Sequence, residues 1–239
     1  MRAFQIVQMT VLATGLLGGQ AAGQSQGAGT FLSVQSVVFD QTISDLKVTV
    51  RNVGNKRITG FAILVSSSQY TEDYFGSIGQ EAKLTFPRPP GFGGILPGEA
   101  VEFLFPAKAD QAATAEINAV IFDDRTAAGD EDQIAYLFRG RLGHASEWQR
   151  WAPSMRPGTF DIAPTIFDEA RKGVIARLQR ATSAGDDPAT ATGEAMARHE
   201  LIGLMKQVTA DSSHVILQHI QDVSAVLQEH SKRQTGAPK

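Results

Sequence analysis

From Leu46 to Val50 the chain alternates apolar and polar side chains, with Leu46, Val48 and Val50 set against Lys47 and Thr49. A period of two suits a strand with one buried face. In the following "NVGNK", Gly54 and Asn55 tolerate positive φ and predict a turn. Alternation resumes through Ile58, Phe61, Ile63 and Val65, interrupted by Gly60 and Ala62. A second turn is predicted at Pro97 and Gly98 of "LPGE", after which Val101, Phe103 and Phe105 share one face, and "AEINAVIF" completes the series. Short strands at this spacing, with no helical period between them, predict an antiparallel β-sandwich over residues 31–125.

Beyond residue 130 the period changes. Ile134, Leu137, Phe138, Leu142, Ala145 and Trp148 recur every three or four residues, the stripe of an amphipathic helix that Pro153 ends. Arg141 falls inside that stripe, which reads as a stem snorkelling to water or, alternatively, as a partner of Asp123 or Asp124 at the end of the sheet. Phe167, Ala170, Val174, Leu178 and Ala181 predict a second helix. Gly185 reads as a stop, and Asp187-Pro188 as a cap and first helical residue. A last helix over roughly 194–232 is predicted from Leu201, Met205, Val208, Val215, Val223, Val226 and Leu227. The expected fold class is therefore α+β, a sandwich followed by about three helices over 130–232.

The joint between the two regions is the most acidic stretch, "VIFDDRTAAGDEDQ". A calcium loop of the EF-hand type needs oxygen ligands at positions 1, 3 and 5, glycine at 6 and glutamate at 12. Counting from Asp124 puts Gly129 at 6, but Ala128 at 5 and Ala135 at 12. The alternative is a helix N-terminus. Asp130 then caps, Gln133 stands three residues on, and Glu131 and Asp132 lie at the positive end of the helix dipole. The capping pattern is the better match. No closing strand is legible after Phe122.

"VTVRNVGNKRITGFAILV", followed by "ILPGEAVEFLF", resembles the bacterial extracellular immunoglobulin-like modules of the CARDB and fibronectin type III kind. In these a strand ending in Asn-x-Gly leads to a second strand, and a Pro-Gly-Glu turn opens a later one. The likeness covers only the N-terminal part of the chain. It implies an immunoglobulin-like fold and a binding or spacing role, with no particular ligand.

At the N-terminus, Arg2 precedes the apolar "AFQIVQMTVLATGLLGG" and the small residues of "QAAGQ". That order predicts a secretory signal peptide over residues 1–23, hence a periplasmic or secreted protein with no transmembrane anchor after cleavage. The chain has no cysteine, which removes thiol catalysis and cysteine-based metal sites. A net charge of −3 without a block of like charges argues against nucleic acid as a partner.

Motifs of catalysis are weak. "GQSQG" at 23–27 has G-x-S-x-G spacing but falls in the cleavage region, and "SDLK" at 44–47 opens a strand instead of a helix. No two histidines stand at i and i+4; His214 and His219 are five apart. Asp211, His214, Gln218 and Asp222 line a polar helix side that reads as solvated surface. No metal, cofactor or catalytic residue is assigned. The candidate binding residues are Tyr70, Tyr74, Phe75, Arg88 and Phe92, aromatics and an arginine in the Gly- and Pro-rich connection between Ser66 and Leu96. Alternatively, these aromatics fold back over the sandwich. The expectation is a non-catalytic binding or assembly protein of the bacterial cell envelope. Its partner is a protein or glycan met by the loops, with self-association through the C-terminal helices. The alternative is an envelope enzyme with a carboxylate site, such as a polysaccharide hydrolase.

Overall fold

The alternation at Leu46, Val48 and Val50 becomes strand β2 (Asp45–Asn52), with those three side chains at most 2% exposed. It lies antiparallel between β1 (Leu32–Asp40) and β5 (Ala100–Pro106). A second antiparallel sheet has the order β4-β3-β6-β7, with β3 at Ile58–Val65, β4 at Ser68–Asp73, β6 at Ala115–Phe122 and β7 at Ala127–Gly129. Among the described residues four α-helices follow: α1 (Glu131–Trp151), α2 (Pro164–Arg180), α3 (Pro188–Gln207) and α4 (Ser213–His230). The chain is thus α+β, as the change of period implies. This computed structural model describes residues 27–40, 42–75, 93–106, 113–156, 164–184 and 187–234. The predicted signal segment lies outside them.

The chain divides into two compact units. One carries the seven strands, the other the helices from Ala135 onward together with Phe75.

In the sheet unit, side chains of both sheets enter one apolar cluster that includes Leu46, Val48, Val50, Phe61, Ile63, Phe105, Ile117 and Val120. Phe61 of β3 meets Phe103 of β5 edge-on at 5.3 Å between ring centroids. Strand β3 is buried on both faces, since the successive residues Phe61 and Ala62, which point to opposite faces, are both fully enclosed. That accounts for the interrupted alternation in its sequence.

Three strands escape the periodicity argument: β1, β4 and β7. The stretch from Ser66, read as loop, turns at Ser66 and Ser67 and returns as β4. Both turn residues have positive φ, 47° and 73°, the geometry of a tight hairpin normally signalled by Asn-Gly. β4 itself, "SQYTED", is a polar edge strand with no alternation to detect. Similarly, the sheet does close after Phe122. Ala127–Gly129 pairs with Ala119–Ile121 as β7, three small residues with little strand propensity of their own.

The two turn motifs meet. Asn52 is fully buried; its side-chain amide donates to the carbonyls of Lys56 and Ile95, both at 2.8 Å, and its side-chain oxygen accepts the Gly54 N–H at 3.0 Å. Its main chain exchanges hydrogen bonds with Gly98 and Glu99 of the "PGE" turn. Asn-x-Gly and Pro-Gly-Glu are therefore two halves of one corner.

In the helical unit, the core gathers Trp148, Met155, Phe167, Val174, Leu178, Leu201, Met205, Leu217, Ile220 and Leu227. Asp187 caps α3 as predicted, accepting the Thr190 N–H at 2.9 Å with Pro188 in the first turn. The single last helix is instead α3 and α4, broken after Gln207. There Thr209 and Ser212 hydrogen-bond each other, offering the backbone an alternative to helix. The break also re-phases the stripe: Val215 is 70% exposed, and α4 buries Leu217, Ile220, Val223, Ser224 and Leu227. On α1, Leu142 is 53% exposed and Arg141 occupies the buried slot.

Helices α1 and α3 pack backbone to backbone. A Cβ on Gly143 would strike the Thr190 carbonyl, and one on Gly193 would strike the carbonyl of Gly140. Only glycine permits that approach.

Candidate functional site

Of the five candidate binding residues, Arg88 and Phe92 lie outside the described residues. Tyr70 and Tyr74 are half-buried against the sheet unit's core, the Tyr70 ring centroid 4.8 Å from that of Phe105. Phe75, one residue later, is 2% exposed and belongs to the core of the helical unit. Its ring meets the His144 imidazole edge-on at 5.4 Å and carries the Arg141 guanidinium over its face at 5.3 Å. Arg141 also lies 5.7 Å from the Phe138 ring centroid. A buried guanidinium between two aromatic rings explains how an arginine fits inside an apolar stripe. The three described aromatics thus pack into two different cores, Tyr70 and Tyr74 against that of the sheet unit and Phe75 within that of the helical unit.

The acidic joint is occupied with structural contacts. Asp130 accepts the Gln133 N–H at 2.9 Å, the predicted cap. Asp124 accepts the Thr126 N–H at 3.0 Å and pairs with Lys56. Burial by itself would raise the Asp124 carboxyl, but the hydrogen bonds from Lys56 and Thr126 outweigh it and hold the group below the usual carboxylate range. Among the described residues, no group of three or more His, Asp or Glu side chains could hold a metal ion.

Sequence reasoning missed a buried ionic cluster in the helical unit. Glu147 of α1, 2% exposed, accepts from Arg198 Nη1 at 3.0 Å and from Trp151 Nε1 at 2.8 Å, and Arg150 reaches its second oxygen at 3.5 Å. Arg198 also donates to Ser183 Oγ at 3.0 Å and stands 4.0 Å from Glu194, which in turn accepts the Ala184 N–H at 2.9 Å. Nearby on α1, His144 lies 2.9 Å from Glu200. The only early sign is spacing: Glu194 and Arg198 stand four apart on one helix, and so do Glu147 and Trp151 on another. Chemically the cluster is spent on itself. Ser183 accepts from a guanidinium and donates to the Ala191 carbonyl, so its hydroxyl faces no base. Glu72 on β4 is pushed up, first by burial and then by Asp73. Successive strand residues point to opposite faces, so these two acids do not form a working pair.

A different surface is available for contact. On the outward side of the three-stranded sheet, Val38, Lys47 and Leu104 stand in one register row across β1, β2 and β5. Val38 is 42% exposed and Leu104 53%. Between them, Lys47 is bound to Asp40 at 3.0 Å. That hydrogen bond and the charge of Asp40 raise the Lys47 ammonium, with a smaller contribution from Glu102. Asp40 is lowered in turn, by Lys47 first and then by the Thr42 N–H. The row is therefore two exposed aliphatic side chains flanking a cation paired with Asp40.

Compared with protein-family models, curated proteins and solved structures, the chain has no match.

Proposed function

We propose that the chain is an exported, non-catalytic binding or assembly protein of the bacterial cell envelope, and that it meets its partner through the outward face of the three-stranded sheet. The observation that carries this reading is the row Val38–Lys47–Leu104, apolar side chains held in register on a sheet face. An immunoglobulin-like role is supported by the strand order β1-β2-β5 and β4-β3-β6-β7, in which the chain leaves the first sheet after β2 and returns to it at β5. A binding role in place of catalysis is supported by the buried ions of the helical unit, each engaged in packing. The helices bury their stripes in a core of their own, leaving among the described residues one exposed large hydrophobic on each: Leu142, Ile166, Met196 and Val215. Those four are dispersed one to a helix, whereas Val38 and Leu104 share one register row of a sheet, so the proposed contact rests on the sheet and not on helical self-association. Export rests on the charged, apolar and small-residue order of residues 1–23.

The test is a photo-crosslinking residue placed at position 104, or at position 142 as a control, in the full chain expressed in the producing bacterium. A discrete envelope adduct from 104, absent from 142 and lost in Val38→Glu, is the expected result. Adducts equal at both positions, or none from 104, overturn the proposal, as does recovery of the uncleaved chain from the cytoplasm.

A further inference from the structure

We draw no further inference here: the strongest candidate, the outward face of the three-stranded sheet around Val38, Lys47 and Leu104, belongs to the surface already described, and nothing in the structure shows what covers it.

Discussion

Arg198 of α3 places its Nη1 3.0 Å from the Oε1 of Glu147 on α1, and neither side chain is more than 10% exposed. Withdrawing two charges from water is costly, and their attraction offsets that cost only while both are present. Removing Arg198 alone leaves a buried carboxylate with Trp151 and Arg150 as its remaining donors. Arg198→Met is therefore expected to destabilise the helical unit by about 3–5 kcal/mol. Glu147→Leu combined with Arg198→Met is expected to recover most of that loss. The chain's two tryptophans, Trp148 and Trp151, both lie on α1, so urea unfolding followed by tryptophan fluorescence reads this unit directly. A double variant as unstable as the single one refutes the argument.

The glycines of α1, α2 and α3 give predictions of opposite sign. In a helix, Gly→Ala normally stabilises by about 0.5–1 kcal/mol. Gly173 and Gly203 have nothing within 4 Å of an added Cβ and should show that gain. Gly143 and Gly193 should show the reverse. Their Cβ atoms would collide with backbone of the facing helix, which cannot move aside as a side chain can, and overpacking of this kind costs about 1–3 kcal/mol. Gly140 is the internal control, because its Cβ would rest at an ordinary 3.6 Å from the Ala189 carbonyl. Thermal unfolding of the five alanine variants checks the ordering. A stabilised Gly193→Ala contradicts the close crossing.

How much of this was legible in the sequence follows from what each element depends on. Strands β2 and β5 and helix α1 declare themselves because burial on one side imposes a period, and β6 because Ala119 to Phe122, buried on both faces, form a continuous apolar run. Strand β7 is made by its neighbour: Ala127, Ala128 and Gly129 gain their conformation from pairing with β6. The Ser66-Ser67 turn lacks the glycine or asparagine that would have announced it. Arg141 was visible as an anomaly, but its explanation needs Phe75, brought from 66 residues away in sequence. The ionic cluster is harder still. Glu147 and Arg198 are 51 residues apart, and their local spacings, four residues to Trp151 and four from Glu194, are equally those of solvated helix surface. Periodicity reports burial, whereas pairing between distant charges leaves no periodic trace.

Asn52 offers a test of the corner formed by the two turn motifs. Its amide supplies one of two hydrogen bonds to the Ile95 carbonyl, the other coming from the Ile58 N–H at 3.0 Å. Asn52→Ala leaves buried carbonyls short of donors, a loss of about 1–3 kcal/mol. Asn52→Asp should cost more, because an acceptor then faces the Lys56 and Ile95 carbonyl oxygens. Amide exchange at Ile58 and Ile95, which bond each other's carbonyls, is the direct measurement. Both amides should exchange faster in each variant; unchanged protection would show that Asn52 does not hold the corner.

The cap of α3 predicts a pH dependence. Asp187 accepts the Thr190 N–H and hydroxyl, which together hold its carboxyl below the usual range, with Arg139 adding to the effect at 3.3 Å. A carboxyl lowered by folding contributes stability that is fully present above its unfolded value, about 3.9, and is lost as pH falls through the lower folded value. Helical-unit stability should therefore decline as the pH is taken from 5 toward 2. The substitution Asp187→Asn keeps a capping side chain at this position but removes the titrating group. That variant should show a shallower decline over the same interval, with little change at pH 7 beyond the lost Arg139 pairing. Tryptophan-monitored unfolding at each pH measures both. Parallel slopes in the two proteins would place the acid sensitivity on other carboxylates and remove Asp187 from the account.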